Sequence, residues 1–376
     1  MKKAFDGNLD PRTIILNLSA MGLGPFEEGC TLIFFDEIQS CPQARTAIKF
    51  LVEDGRFDYI ESGSLLDINY KEVSSYPVGF EEQLNMYPLD FEEFLWAKGI
   101  ASEVIDELRE AYIEVKPVNS FLHESMMKAY REYLVVGGMP AAVKTFIEND
   151  DFAETLKAQK IILNSYRDDV SKYAGREKIL VKRMFDSIPE QLSKKNKRFV
   201  FADLERETAA KKYENASMWM TEAGITYNCF KVTALEPNLT FNEKRNLYKL
   251  YLLDTGLLCA KGMHKIQSFL LSGDIEVNKG GITENAVGAA LAKKEIPLHY
   301  FDEKSRSELD FVFVENDKLT IIVVKSGKDY KSHISLDRVY ENCQAILNRR
   351  IVLSKHNLET DAKGVIYYPL YMAMFL

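Results

Sequence analysis

An apolar segment near the start of the sequence ends in two adjacent carboxylates. The segment TLIFFDEIQS, residues 31–40, is typical of a buried strand, and Asp36 and Glu37 follow its last apolar residue. At such a strand end the aspartate can hold Mg²⁺, and the glutamate after it can polarise an attacking water. Apolar strands that end in solvated acidic residues are also common, so the pair alone leaves a purely structural role open.

The next predicted strand adds small polar residues to this edge. The segment FDYIESGSLL, residues 57–66, ends in Ser62 and Ser64. Hydroxyls at the end of a neighbouring strand can contact a γ-phosphate, which is the role of the sensor position in ATPases. The two strand ends together predict a nucleotide-hydrolysis site of the Walker B type, with Asp36 as its metal ligand.

A second group of residues lies near the C-terminus. The segment ELDFVFVENDKLTIIVVKSG, residues 308–327, predicts two adjacent strands, one carrying Asp310 and the next Lys325. This is the frame of PD-(D/E)xK nucleases, in which carboxylates hold Mg²⁺ and the lysine positions or activates water. Glu284, from the preceding helix, and Glu308 are further candidate ligands. We favour a structural ion pair between Asp310 and Lys325, and metal-dependent DNA cleavage is the alternative.

Basic residues concentrate in the middle of the chain. Clustered cations beside a recognition helix neutralise phosphates and make DNA binding salt-dependent. A solvated basic loop is an equally supported interpretation, since acidic residues are in excess overall. The candidate nucleic-acid contacts are Lys194, Lys195, Lys197, Arg198, Lys211 and Lys212.

Hydrophobic patterning divides the chain into three blocks that must position these residues. Residues 31–95 alternate apolar strands with helices, which predicts an α/β fold with a parallel sheet. Residues 100–260 have helical spacing, and 199–234 read as strand, helix, helix and strand, the order of a winged helix. The remainder is a second α/β unit. The predicted domains are residues 1–98, 99–260 and 261–376.

Composition limits the classes of protein. The 376 residues are 46% hydrophobic, which suits several cores, and the net charge of −8 argues against coating nucleic acid through overall charge. The five cysteines form no CxxC pair, so neither a disulfide framework nor a zinc ribbon is indicated. No signal peptide or membrane-spanning apolar run is evident, and a cytoplasmic location is predicted.

Five segments together resemble a large prokaryotic family of AAA+ ATPases. They are LIFFDEIQSCPQARTAIKFLVED, SGSLL, YPVGFEEQLNMYPLDFEEFL, YLVVGGMP and LYLLDTGLL. The resemblance implies a P-loop NTPase-like parallel sheet, a helical and winged-helix middle segment, and a C-terminal restriction-endonuclease-like α/β domain. It implies that Asp36 and Glu37 are the Walker B pair, that Ser62 and Ser64 lie at the sensor, and that Mg²⁺ and ATP are cofactors.

The sequence departs from that family at three places. No GxxxxGK(S/T) loop occurs in the 376 residues, and such a loop is what holds the nucleotide phosphates. Phe80 stands where relatives usually carry a basic residue, and Val323 stands where they carry a glutamate two residues before the lysine. We therefore expect a family member that lacks its first strand, loop and helix, binds and hydrolyses ATP poorly, and retains a role in binding DNA, a protein partner or a second copy. The alternative is an active ATPase whose loop is missing only from this gene model.

Overall fold

A computed structural model describes residues 2–7, 9–63, 79–173, 178–200, 210–262, 266–273, 280–303, 308–327 and 329–376. The chain divides into two compact units, Met1–Met86 and Tyr87–Leu376. Both combine helices with strands, which confirms the predicted α/β class. None of the helices in the described ranges has the length and apolar character that crossing a membrane requires.

The first unit is small. Its described elements are helix α1 (Pro11–Ala20), strand β1 (Leu32–Phe35), helix α2 (Pro42–Asp54) and strand β2 (Asp58–Glu61), with 3₁₀ turns at Lys2–Phe5 and Ile38–Ser40. Helix α1 begins where the Asp10 carboxylate accepts a hydrogen bond from the Thr13 amide, 2.9 Å away, which satisfies one of the free amides of the first turn. Helix α2 ends at Gly55, whose φ of 69° is left-handed.

Strands β1 and β2 pair in parallel, with Leu32 opposite Asp58 and Phe34 opposite Ile60. One face of this pair packs on the core of the unit through Ile33 and Phe35. The other face leaves Leu32, Phe34 and Ile60 about half exposed, at 54%, 56% and 48%. The carboxyl ends of both strands therefore lie at one edge, since parallel strands run in the same direction.

The second unit contains helices on a mixed sheet. Its described helices are α3 (Phe91–Ala97), α4 (Ser102–Glu114), α5 (Ser120–Val136), α6 (Pro140–Asn149), α7 (Phe152–Tyr173), α8 (Lys178–Leu192), α9 (Ala210–Glu222), α10 (Thr255–Gly262), α11 (Ile266–Leu271), α12 (Gly281–Lys293) and α13 (Ile334–Cys343). Its strands are β3 (Thr226–Val232), β4 (Glu243–Leu252), β5 (His299–Asp302), β6 (Glu308–Glu315), β7 (Lys318–Lys325), β8 (Leu347–Ser354), β9 (Glu359–Thr360) and β10 (Ile366–Pro369).

These strands form one sheet in the order β4-β3-β5-β6-β7-β8-β10-β9. Strands β3 and β5, β7 and β8, and β8 and β10 pair in parallel, and the other neighbours are antiparallel. A core of mainly aliphatic residues covers one face of the sheet, and Val323 of β7 packs in it beside Leu309 and Val312.

Among the residues described, the strands of the predicted winged-helix segment belong to the large sheet and do not form a separate small sheet. Strand β3 follows α9, as the pattern predicted, but it pairs with β4 and also with β5, so the sheet continues across the predicted boundary at residue 260. A period of two identifies a strand and the face it buries, but it does not identify the strand's partner. The first predicted helix of the segment falls largely on residues 201–209, outside the described residues.

A close backbone crossing joins α5 to α10. The Asp254 carboxylate precedes α10 and accepts hydrogen bonds from the amides of Gly138, at 2.6 Å, and Leu257, at 2.7 Å. A Cβ on Gly138 would lie 1.8 Å from the Leu89 carbonyl oxygen, and one on Gly256 would lie 2.3 Å from the Val136 carbonyl oxygen. Gly138 of YLVVGGMP and Gly256 of LYLLDTGLL are therefore required by close approach of the backbone.

Candidate functional site

Asp36, Glu37 and Ser62 meet at the carboxyl ends of β1 and β2, and we call them the strand-end site. The Ser62 hydroxyl donates to Asp36 Oδ1 at 2.5 Å and accepts from the Glu37 amide at 3.1 Å. The Ser62 amide donates to the Phe35 carbonyl oxygen at 2.9 Å, and the Ile38 amide donates to the Ser62 carbonyl oxygen at the same distance. One serine thus holds the chain on both sides of the acidic pair.

Glu37 has a left-handed backbone, with φ of 55°. This conformation is uncommon for residues other than glycine, and it turns the chain sharply after β1. The Glu37 carboxylate is exposed and accepts a hydrogen bond from Gln39 Nε2 at 2.5 Å. Asp36 is also exposed. Both carboxylates are therefore accessible to a ligand at this edge, and Ser64 lies outside the described residues.

Arg45 of α2 is a cation beside this edge that the sequence analysis did not select. Its guanidinium binds Glu61 Oε2 at 2.8 Å and Glu81 Oε1 at 2.8 Å. Burial raises the pKa of Glu61, and Arg45 opposes that change. Phe80 lies nearby with its ring centroid 5.5 Å from the Lys49 ammonium. An arginine in the first turn of a helix that follows a strand is a weak sequence signal of a functional site, because most such residues are surface cations.

The second candidate group lies in the larger unit, and we call Lys197, Lys249, Glu284 and Asp310 the buried charge cluster. Glu284 lies in the first turn of α12, Lys249 on β4 and Asp310 on β6. The Lys249 ammonium is 2.8 Å from Glu284 Oε1 and 3.3 Å from Asp310 Oδ1, and the Lys197 ammonium is 2.7 Å from Glu284 Oε2. Glu284 and Asp310, predicted as metal ligands, are thus brought together through Lys249.

The pKa values in this cluster follow from its burial and its charges. Burial alone would raise the pKa of Glu284, but the ammonium groups of Lys197 and Lys249 outweigh it and hold that pKa well below its usual value. Burial and the neighbouring Glu284 charge raise the pKa of Asp310. The carboxylates outweigh burial at Lys249 and raise its pKa well above the usual range. Burial is likewise outweighed at Lys197, whose pKa Glu284 and Asp310 raise, so both lysines are charged at neutral pH.

Lys325 is placed differently from the prediction that it pairs with Asp310. In the described part of the chain, the Asp310 carboxylate is held by Lys249 and by the Val324 amide, which donates to Oδ2 at 2.8 Å. The pairing of β5 with β6 shifts register between His299 and Phe301. Such irregularities change the face to which side chains point. The sequence analysis assumed that side chains alternate regularly along β6, so it could not predict this shift. Lys325 ends β7 half-buried.

The predicted nucleic-acid residues separate into two groups. Lys195, Lys211 and Lys212 are exposed, the last two in the first turn of α9. Lys197 is instead turned inward, with a side chain only 12% exposed and its ammonium on Glu284, and Lys194 donates to Gln191 Oε1 at 3.0 Å. Arg198 is half-buried. The basic residues within 194–198 therefore do not form one exposed surface, because the buried carboxylate of Glu284 binds Lys197.

The two groups differ in their fit to Mg²⁺, a cation that favours carboxylate oxygens and water in an open octahedral shell. Asp36 fits as an exposed carboxylate ligand at a strand end, with Glu37 beside it. Glu284 and Asp310 do not fit, because lysine ammonium groups contact both carboxylates. Within the described residues, no group of three or more histidine, cysteine, aspartate or glutamate side chains is arranged to hold a metal ion.

Three segments match known domain families. Residues 6–95 match the AAA domain, residues 127–267 match a domain of unknown function (DUF8612), and residues 279–372 match another domain of unknown function (DUF4143). The N-terminal match includes the whole strand-end site. Lys249 and Lys197 lie in the second segment, whereas Glu284 and Asp310 lie in the third.

Comparison with solved structures finds the crystal structure of protein VC1899 from Vibrio cholerae. The two chains are 11% identical over 98% of this chain and 94% of that one, with a TM-score of 0.20. Comparison with curated proteins gives no match.

Proposed function

We propose that this chain, whose N-terminal unit carries an AAA-type, ATPase-like domain, keeps an ATPase scaffold but binds and hydrolyses ATP poorly by itself. It acts by binding a macromolecular partner. The observation that carries the proposal is the pairing of Asp36 with Ser62 across two parallel strand ends. That pairing belongs to a nucleotide-hydrolysis edge, whereas the 376 residues contain no GxxxxGK(S/T) loop for the phosphates.

Each residue of the strand-end site has a role in this proposal. Asp36 would hold Mg²⁺, which when bound neutralises charge on the phosphate oxygens. Ser62 fixes the orientation of Asp36 by donating to it. Glu37, exposed beside it, is the side chain that could orient a water. The site therefore keeps the carboxylates that hold the metal ion and orient water. The lysine of the GxxxxGK(S/T) loop, which binds the phosphates, has no counterpart motif in this sequence.

Calorimetry with Mg-ATP tests the nucleotide part of the proposal. We expect no submicromolar binding, and no phosphate release above background in either the wild type or Glu37→Gln. Glu53→Gln, a change to an exposed glutamate of α2, is the matched control. Submicromolar binding, or turnover that Glu37→Gln abolishes and Glu53→Gln preserves, would contradict the proposal and favour an active ATPase.

We propose DNA as the partner on the basis of the exposed lysines. Lys195 follows α8, and Lys211 and Lys212 lie in the first turn of α9. All three are exposed, and such cations bind phosphates without sequence preference. If the protein does not bind DNA, a protein partner or a second copy of this chain is the alternative.

Metal-dependent DNA cleavage has weaker support. A nuclease of this frame needs carboxylates free to hold a cation, whereas Glu284 and Asp310 are bound by lysines. We expect no nicking of supercoiled plasmid with Mg²⁺ or Mn²⁺. Cleavage that disappears in Lys325→Ala would overturn this expectation.

A further inference from the structure

We propose that Lys249 takes the place of a divalent cation in the larger unit, and that its ammonium keeps the carboxylates of Glu284 and Asp310 closed to metal ions. This inference concerns a different unit from the strand-end site and does not depend on the ATP-binding proposal. The sequence pattern predicts a metal site at Glu284 and Asp310, whereas the inference is that Lys249 bridges these two carboxylates instead.

The charges support this assignment. Glu284 and Asp310 bring two negative charges together in the protein interior, with side chains 1% and 10% exposed. Two buried carboxylates that contact the same ammonium would repel each other unless opposite charge were supplied. Lys249 and Lys197 supply two positive charges, the same number that one divalent cation carries.

Hydrogen bonding leads to the same conclusion. Glu284 Oε1 accepts from the Lys249 ammonium and, at 2.6 Å, from the Tyr251 hydroxyl, and its Oε2 contacts the Lys197 ammonium. Asp310 Oδ1 accepts from Lys249, and its Oδ2 accepts from the Val324 amide. All four carboxylate oxygens therefore have a donor. A metal ion bound between the two carboxylates would have to take the position of the Lys249 ammonium, which contacts an oxygen of each.

Lys249 is held where it is. Its side chain is fully buried, and its ammonium lies 5.1 Å from the centroid of the Tyr300 ring, a cation–π contact. On β4 it pairs with Cys229 of β3, which is also completely buried. Unlike a dissociable ion, this cation is covalently attached to strand β4.

A third carboxylate, that of Glu308, also lies close to the Lys249 ammonium. Glu308 Oε1 lies 3.7 Å from the Lys249 ammonium, and the Glu308 side chain is 39% exposed. Glu284, Glu308 and Asp310 therefore converge on the point that the ammonium occupies. Three converging carboxylates are a donor set suited to Mg²⁺ or Mn²⁺. Removing Lys249 should turn the cluster into a metal site.

Electron paramagnetic resonance of Mn²⁺ and thermal unfolding test the inference on the full chain. We expect the wild type to bind no Mn²⁺ at this site and to keep its melting temperature when Mn²⁺ is added. Lys249→Ala should melt lower by on the order of 5–10 °C without metal, because an uncompensated buried charge remains. It should bind Mn²⁺ and recover much of that loss.

Two controls separate this effect from a general response to metal. Lys249→Ala combined with Asp310→Asn should lose the Mn²⁺ signal and the thermal recovery. Lys331→Ala, which removes a surface lysine paired with Glu359, should behave like the wild type. If Lys249→Ala folds but neither binds Mn²⁺ nor regains stability, the inference is wrong.

The wild-type measurement keeps the inference falsifiable if Lys249→Ala does not fold. Stoichiometric Mn²⁺ binding by the wild type that Asp310→Asn abolishes would show that Lys249 does not exclude metal, and would overturn the inference. Lys249→Met keeps the apolar length of the side chain without its charge. It should gain the Mn²⁺ site that the wild type lacks, and failure of folded Lys249→Met to bind Mn²⁺ would equally count against it.

Discussion

Ser62 is the residue on which the geometry of the strand-end site depends, because its single hydroxyl both donates and accepts. It donates to Asp36 and accepts from the Glu37 amide, so one side chain orients two consecutive residues. Lys249 has a comparable role in the larger unit, where one ammonium contacts carboxylates from a helix and a strand. In both places a single polar group positions acidic residues that lie far from it in the sequence.

Truncating Ser62 should loosen the strand-end site. Ser62→Ala removes both side-chain hydrogen bonds, and we expect it to lower the free energy of unfolding of the first unit by about 1 kcal/mol. Urea denaturation measures this change. Ser40→Ala, at an exposed serine of the same region, is the control, and an equal loss in both variants would show that the Ser62 contacts contribute nothing.

Asp254 should make stability depend on pH. Burial raises its pKa to about 6 from 3.8, against the opposing effect of the backbone amides of Gly138, Leu257 and Gly256. The folded state then binds the proton more tightly than the unfolded state, so this contribution to stability is full below about pH 4. It declines as pH rises to about 6, by up to roughly 3 kcal/mol.

Comparison of Asp254→Asn with the wild type isolates that dependence. The difference in unfolding free energy between them should change between pH 4 and pH 6 and then level off. Asp317→Asn, in the exposed turn between β6 and β7, should follow the wild type at every pH. A constant difference between Asp254→Asn and the wild type would rule out titration of Asp254 in this range.

At the scale of elements, the sequence predicts what depends on local pattern. Strands β1 and β2 and their acidic and serine ends could be located because apolar runs and polar ends are neighbours in the chain. The contact of Lys249 with Glu284 could not, because it joins β4 to α12 across 35 positions. A lysine inside an apolar strand, as in LYKLYL, is the one local signal of a buried cation. The pairing of β3 with β5 was beyond local pattern for the same reason.

The close approach of Gly138 to the segment before α3 gives an element-scale prediction. Gly138→Ala would place a methyl group against the Leu89 carbonyl oxygen, and rigid backbone cannot move away cheaply. We expect a loss of about 2–3 kcal/mol or more in unfolding free energy. Gly99→Ala is the control, since its Cβ would meet open space and only its φ of 73° opposes the change, at about 1 kcal/mol. Equal losses would contradict the role assigned to this approach.

At the scale of the whole molecule, charge decides whether DNA can be the partner. The net charge of −8 repels DNA, so binding needs a local group of exposed cations. Lys211 and Lys212 at the start of α9 are such a group, whereas Lys197 is held inward by Glu284. The proposed DNA binding would therefore depend on where a few exposed cations lie, and the net charge of the chain does not reveal them.

Charge reversal tests this prediction directly. Lys211→Glu combined with Lys212→Glu should weaken DNA binding by roughly tenfold or more and lower the log–log salt slope by about 2. Fluorescence anisotropy across a salt series measures both. Lys144→Glu with Lys157→Glu makes the same change in net charge at exposed lysines elsewhere. If both pairs weaken binding alike, or if binding ignores salt, a protein partner is favoured.

The half-exposed face of β1 and β2 has a consequence for the behaviour of the protein in solution. Parallel strands are usually covered on both faces, but here Leu32, Phe34 and Ile60 are about half exposed. Such a patch attracts apolar dyes and promotes colloidal association at high concentration. We expect the native protein to enhance the fluorescence of such a dye and Phe34→Ser to reduce that signal, with scattering at high concentration falling in parallel. An unchanged signal would place the dye elsewhere.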